Sequence, residues 1–183
     1  MDVNSIQASG GMFIVDGKSM DLGQLMMELN IDRTNIIDAQ LADQMKEVQD
    51  KNTQLKALNE LMAQCRQFKA NKTAGNDDNA AGAEFTLPGY EDKGAKQVNE
   101  WFTEFGLTET DVNPSDDKDE WEAEWDANIQ TIKGAIDSLN SDSQLAMTRL
   151  QSLMNKRNQS YEVVSDVLQK DQKTRDTITG NLR

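Results

Sequence analysis

The residues most able to do chemistry stand in one acidic stretch, DVNPSDDKDEWE, in the middle of the chain. Counted as a calcium-binding loop, its positions one, three, five and twelve are Asp111, Asn113, Ser115 and Glu122. Oxygen ligands at this spacing can surround Ca²⁺. Position six, however, is Asp116 instead of the glycine that the sharp turn of such a loop needs. We therefore expect a solvated acidic loop and a helix N-cap here, with calcium binding as the alternative.

The rest of the sequence lacks the residues of a catalytic site. Histidine is absent, which removes the commonest general base and metal ligand. The single cysteine, Cys65, excludes an intrachain disulfide and a multi-thiolate zinc site, and its place on an apolar face predicts burial. A row of alternating carboxylates is more typical of a charged helix face than of a glycosidase pair, and it consists of Glu120, Glu122, Glu124 and Asp126. We predict no enzyme activity and no cofactor.

Acidic residues give the chain a formal net charge of −13. Residues 72–128 hold sixteen acids and four lysines, and therefore almost all of this charge. Such a surface repels nucleic acid and anionic lipid, so neither is expected as a partner. No stretch approaches the ~20 apolar residues that span a bilayer. Residues 1–20 lack the cationic and apolar segments of a general secretory signal and are predicted to be a flexible leader.

Two long segments carry apolar residues at helical spacing. The first is predicted to be a helix over residues 21–71, and a break near NIDRTN is an open alternative. Its seven-residue series predicts a coiled-coil seam made of Leu41, Val48, Leu55 and Met62. The second helical pattern begins near Asp119, and the long C-terminal helix is placed over residues 129–183. Together they predict a mainly all-α fold, a long antiparallel coiled-coil hairpin.

The middle of the chain, residues 72–128, is predicted to be a small acidic inserted subdomain of loops and short helices. A polar, glycine-bearing segment with Pro88 before Gly89 is a loop by its turn chemistry. The segment AKQVNEWFTEFGL then has apolar residues at helical spacing, and Gly106 can end that short helix. The tryptophans and nearby phenylalanines are expected to pack as a core instead of lining a ligand pocket.

The C-terminal helix carries an apolar stripe that continues almost to the last residue. Its members are Met147, Leu150, Met154, Tyr161, Val164, Leu168, Ile178 and Leu182. This face is wider than one partner helix covers, so a hairpin leaves part of it exposed. We predict that another copy of the chain covers the remainder, which makes these residues the expected self-assembly contact.

Two regions near the ends of the chain, residues 19–69 and 145–183, resemble type III secretion filament and needle-tip proteins. The resemblance rests on the helix pattern and on the phrases KSMDLGQLM, RLQSLMNKRN and GNLR. It points to the EspA-type translocator filaments, with the nearest likeness among the filament-forming tip proteins of Bordetella. Residues 72–128 show no such likeness.

The resemblance implies a secreted structural protein whose terminal helices polymerise into a hollow helical filament on the secretion needle. The filament would conduct effectors, and the implied partners are the needle subunit, the translocator pore proteins and a cytoplasmic secretion chaperone. Export would use an uncleaved N-terminal signal and place the protein outside the cell, at the bacterial surface. Two alternatives stay open. One is a closed needle-tip complex, and the other is an acidic binding or adaptor module, such as a secretion chaperone or a calcium-responsive protein.

Overall fold

The computed structural model describes residues 7–9, 12–15, 17–73, 83–110 and 118–181. In chain order its strands and helices are β1 (Gln7–Ser9), β2 (Met12–Val15), β3 (Lys18–Met20), α1 (Leu22–Thr73), a 3₁₀ turn (Glu91–Lys93), α2 (Val98–Glu104) and α3 (Lys118–Asn181). The chain is mainly helical, and the long helices α1 and α3 pack against each other as a helical hairpin. The predicted fold class is therefore confirmed.

Helix α1 begins at a reciprocal cap. The Asp21 carboxylate accepts the backbone N–H of Gln24 at 2.7 Å, and the Gln24 side-chain oxygen accepts the N–H of Asp21 at 3.1 Å. Two N–H groups that the first turn leaves without helical partners are thus satisfied. The helix then continues without interruption to Thr73, so the break considered near NIDRTN is absent.

The described chain divides into two compact units, each of which contains part of α1 and part of α3. The central unit is Lys46–Met147, and the terminal unit combines Met1–Met45 with Thr148–Arg183. In the central unit, Lys51 Nζ donates to the backbone oxygen of Asp142 at 3.5 Å, and Lys69 pairs with Asp126 at 2.6 Å. Moving forward along α1 therefore means moving backward along α3, as expected for an antiparallel pair.

A large core fills the central unit. It draws on both long helices and on the segment between them, and its fully or nearly buried members include Leu58, Leu61, Cys65, Phe68, Leu87, Trp101, Phe102, Trp121, Trp125 and Ile132. Indole Nε1 of Trp101 donates to the backbone oxygen of Phe85 at 2.9 Å, so its polar atom is satisfied inside the core. The expectation that the aromatic residues pack as a core is confirmed.

The boundary between the inserted segment and the C-terminal helix differs from the one predicted at residue 129. Helix α3 begins at Lys118, so Trp121 and Trp125 belong to the long helix. The short helix α2 lies where its apolar spacing predicted it, and Gly106, at φ +65°, follows its end. The N–H of Leu107 then returns to the carbonyl of Phe102 at 2.8 Å, which closes the helix in a Schellman arrangement.

One buried amide attaches the end of the inserted segment to α3. Asn128 is fully buried, and its Oδ1 accepts the N–H of Thr110 at 2.7 Å while its Nδ2 donates to the carbonyl of Thr110 at 2.8 Å. Both backbone groups of Thr110 are therefore satisfied by a single side chain. This fixes the chain immediately before residues 111–117, which lie outside the described part of the structure.

A tight turn brings the inserted segment against α1. The N–H of Tyr90 donates to the carbonyl of Leu87 at 3.0 Å, with Pro88 and Gly89 between them, and Gly89 has φ +80°. These are the features of a type II turn. A Cβ built on Gly89 would lie 2.2 Å from Cγ2 of Thr53 on α1, so glycine is required both by the backbone conformation and by the close approach.

The terminal unit begins with a small antiparallel sheet in the order β1-β2-β3. The expectation of a flexible leader over residues 1–20 was wrong for its described residues, which form these strands. Burial alternates along β2, with Phe13 and Val15 more covered than Met12 and Ile14. This period-two pattern places Val15 in a cluster with Met20 and Leu25, the latter on the first turn of α1.

An ion pair joins the two helices of the terminal unit. Arg157 Nε of α3 donates to Asp38 Oδ1 of α1 at 2.6 Å. The buried hydroxyls of Thr34 and Ser160 donate to carbonyls of their own helices, at 2.8 and 3.0 Å, and so make no bond across the pair. Ile37 is the buried aliphatic residue of α1 in this region. Partly buried apolar residues of the pair include Leu41, Leu150, Leu153, Val164 and Val167.

We expect Gly89→Ala to destabilise the protein by about 2 kcal/mol or more, because alanine is strained at this φ and its methyl meets the stiff, β-branched Thr53. Gly94→Ala is the matched control, since Gly94 has φ +74° but open space around it. Thr53→Ser should recover part of the loss in the Gly89→Ala background. Urea denaturation measures all three variants against the unmodified protein, and equal losses at the two glycines would contradict the role of Thr53.

Asn128→Ala should lower the free energy of unfolding by about 2–4 kcal/mol, because the N–H and the carbonyl of Thr110 both lose their hydrogen bonds to the buried side chain. Asn140→Ala, at an exposed position of the same helix, should change stability by less than about 0.5 kcal/mol. Thermal and urea unfolding give the comparison. Similar effects at the two asparagines would show that the Thr110 attachment contributes no stability.

Candidate functional site

The calcium-loop residues cannot be placed as a set. Asp111, Asn113 and Ser115 lie outside the described residues, and Glu122 is a partly buried residue near the start of α3. Within the described ranges, no group of three or more Asp, Glu or Cys side chains is arranged to hold a metal ion. The calcium hypothesis remains a prediction about a segment that the structure does not describe.

The predicted seam residues of α1 all lie towards the covered side of the helix. Val48 is buried, and Leu55 and Met62 pack against the central core. Leu41, in the terminal unit, is partly buried. The most deeply buried line of α1 in the central unit is displaced from this series and consists of Ala57, Leu58, Leu61 and Cys65. The inserted segment, whose position the helical spacing does not reveal, accounts for that displacement.

The predicted C-terminal stripe separates into covered and exposed rows. Leu150 and Val164 are partly buried, as are their neighbours Leu153 and Val167. Residues seven apart on the outer row are exposed to similar extents, namely Met147 at 44%, Met154 at 49%, Tyr161 at 45% and Leu168 at 43%. The side chains of Ile178 and Leu182 lie outside the described part of the structure. Met154, Tyr161 and Leu168 thus form a half-exposed apolar row on one face of α3.

Helix α1 adds exposed apolar residues that do not belong to its predicted seam. We define the terminal apolar surface as the exposed large hydrophobic residues of both helices in this unit, which are Leu22, Met26, Ile31, Ile36, Met45, Met154, Tyr161, Val163 and Leu168. Part of it lines an open groove of about 570 Å³, where Leu22 and Met26 of α1 meet Val167 of α3. Lys170 and Thr174 form the polar side of the groove.

Apolar burial is distributed very unevenly between the units. Of the nineteen buried hydrophobic residues in the described chain, only Val15, Met20, Leu25 and Ile37 belong to the terminal unit. Of the thirteen large hydrophobic residues that are exposed, only Leu145 and Met147 belong to the central unit. The central unit therefore buries most of its large apolar side chains, whereas the terminal unit leaves many of its own exposed.

Net charge, like apolar burial, is concentrated in the central unit. The sequence of the central unit contains twenty-one acids and ten bases, a net charge of −11. The sequence of the terminal unit contains eleven acids and nine bases, a net charge of −2. The surface with the exposed apolar residues is thus nearly neutral. Two such surfaces can approach each other with little electrostatic repulsion.

Arg157 contacts both Asp38 on α1 and Tyr161 in the exposed row of α3. Its guanidinium pairs with Asp38, which raises the pKa of Arg157, and it also lies over the Tyr161 ring with 5.2 Å between Cζ and the ring centroid. The ion pair is well exposed, so its own contribution to stability is small. The guanidinium of Arg157 also makes a cation–π contact with the exposed Tyr161 ring.

Cys65 offers no reactive thiol. The side chain is fully buried, and desolvation, followed by the nearby Glu109 carboxylate, raises the pKa of the thiol from 9.0 to about 12. A thiolate is the reactive form of cysteine, and this environment suppresses it. The prediction that Cys65 is a buried structural residue is confirmed.

No family model, curated protein or solved structure matches this chain. Among the described helices, none is long and apolar enough to cross a membrane. The terminal apolar surface, with its exposed row on α3, is the part of the described structure that most resembles a binding site.

Cys65 should react with a thiol reagent such as DTNB at least about 100-fold more slowly in the folded protein than in urea, because reaction requires opening of the central core. Between pH 9 and 12 the unfolded chain loses the thiol proton and the folded chain keeps it, so this group lowers stability as pH rises through that range. Labelling as fast in buffer as in urea would contradict burial.

Proposed function

We propose that this protein is a structural subunit that self-assembles through its terminal helices into a filament on a type III secretion needle and forms a conduit for effectors. The observation that carries the proposal is the exposed row of Met154, Tyr161 and Leu168 on a helix whose covered side already packs on α1. The sequence resemblance of residues 19–69 and 145–183 to filament and needle-tip proteins supplies the biological setting.

The terminal apolar surface suits contacts between copies of the chain. Burying apolar area contributes about 25 cal/mol per Å², and a stable protein interface buries roughly 1,200–2,000 Å² in total. Nine large side chains distributed over two helices provide candidates for such an area. Their nearly neutral unit avoids the repulsion that a contact through the central unit, at −11, would meet.

The exposed residues lie on two different helices, which bears on the kind of assembly. If the α1 residues of one copy meet the α3 row of the next, the contact is heterologous. Heterologous contacts repeat from copy to copy and give an open helical filament unless the rotation closes into a ring. An open filament is the proposed product, and a closed tip complex is the alternative outcome of the same contact.

In this proposal the exported protein lies at the bacterial surface, with the needle subunit below it and the translocator pore proteins beyond it. Before export, a cytoplasmic secretion chaperone covers the terminal apolar surface, because exposed apolar surface of this kind promotes premature association. These partners come from the resemblance alone.

We expect Leu168→Asp to raise the concentration needed for assembly by about 100-fold or more, because a carboxylate replaces an apolar side chain in the contact. Deletion of residues 176–183 should also abolish assembly. Sedimentation across a concentration series, with negative-stain microscopy, measures the products and separates filaments from rings. Circular dichroism should show helicity largely unchanged.

Asn155→Asp is the matched control, since it places the same charge at an exposed polar position of the same helix, about a third of a turn away from the row. It should assemble like the unmodified protein. Normal filaments from Leu168→Asp, or equal inhibition by both aspartates, would overturn the assignment of the α3 row.

A further inference from the structure

Methionine supplies an unusual share of the terminal apolar surface. Three of its nine residues are methionines, with exposed fractions of 43% for Met26, 47% for Met45 and 49% for Met154. The methionines nearer the cores are better covered, since Met20 is 8% exposed and Met62 packs against the central core. Met12 and Met147 are also exposed, at 43% and 44%, but lie on β2 and in the central unit, outside the terminal apolar surface.

The positions of these methionines connect them to the contact. Met154 lies one seven-residue step from Tyr161 on the exposed row of α3. Met26 lines the open groove beside Leu22 and Val167. Met45 lies on the exposed side of α1 at the end of the terminal unit. None of the three belongs to either buried core of the described structure.

An exposed thioether reacts with hydrogen peroxide in a balanced two-electron step. A sulfur lone pair attacks one peroxide oxygen, the O–O bond breaks, the sulfur gains that oxygen as a sulfoxide, and the remaining oxygen leaves as water. The product is polar and a strong hydrogen-bond acceptor, so burying it in an apolar contact without a donor costs free energy. The change is reversed by methionine sulfoxide reductases, which use a thiol reductant.

We propose that Met26, Met45 and Met154 form an oxidation-sensitive set, and that their conversion to sulfoxides by peroxide prevents the free subunit from assembling. This inference rests on the proposed self-assembly and adds a chemical control to the same surface. Because the three side chains lie outside the cores, oxidation should block the contact before it affects the fold. Assembly should in turn protect the three thioethers, since the contact covers them.

The experiment treats free subunits, below the concentration for assembly, with hydrogen peroxide and follows each methionine by peptide mass spectrometry. Met26, Met45 and Met154 should gain one oxygen at least about tenfold faster than Met20 and Met62. The oxidised protein should keep its helicity by circular dichroism and need at least about tenfold more protein to assemble. Treatment with methionine sulfoxide reductase and a thiol should restore assembly.

A triple variant, M26L/M45L/M154L, removes the sulfurs and keeps apolar side chains of similar size. It should assemble normally and remain assembly-competent after peroxide. The control variant M27L/M62L changes two partly covered methionines of the same helix and should stay sensitive. Inhibition of the triple variant by peroxide, or normal assembly of protein oxidised at all three sites, overturns the inference while leaving self-assembly intact. An unoxidised protein that never assembles overturns the proposed function and this inference together.

Discussion

Two antiparallel helices can cover only one side of each other's apolar stripe, and this constraint governs the whole structure. In the central unit the inserted segment covers much of the rest. Trp101 and Phe102 of α2, together with Leu87, belong to the same buried cluster as residues of α1 and α3. In the terminal unit the small sheet covers only the start of α1, through Val15 and Met20. Much of the remaining apolar surface there is left exposed.

The difference in burial implies a difference in local stability. The central unit contains tilted and edge-on aromatic contacts, a fully buried cysteine and the Asn128 attachment, all of which must be lost together on unfolding. The terminal unit has only the small cluster of Val15, Met20 and Leu25, with Ile37 elsewhere on α1, as buried apolar residues in its described part. A partner that buries its apolar surface would therefore stabilise the unit with the least core of its own.

Much of the fold could be predicted because its signals are local. Long helical spacing, the glycine that ends α2 and the burial of Cys65 all follow from nearby residues. The strands were missed because the leader was judged by its polarity. Their signals in the sequence are the dipeptides Gly10-Gly11 and Asp16-Gly17, a type that favours tight hairpins, together with the alternation along β2.

The remaining features depend on pairings between distant residues, which helical spacing does not encode. From the sequence alone, Asn128 cannot be distinguished from other polar residues of a helix, because its hydrogen-bond partner Thr110 is not close to it in sequence. The exposure of Met26 and Ile36 likewise could not be inferred, because an apolar residue at helical spacing is ordinarily assigned to the covered face of its helix. The C-terminal row was identified in advance because its stripe was wider than one helix could cover. Its separation into covered and exposed members required the structure.

The distributions of charge and of apolar burial give the two units complementary properties. The central unit carries nearly all of the net charge and nearly all of the buried core, so it is both self-sufficient in packing and repulsive towards copies of itself. The terminal unit is close to neutral and exposes its apolar side chains. In a solution of many copies, the repulsion between central units disfavours unspecific clustering, whereas terminal surfaces can still meet. A contact between terminal units is favoured because it buries apolar side chains and because it does not bring the acidic central units together.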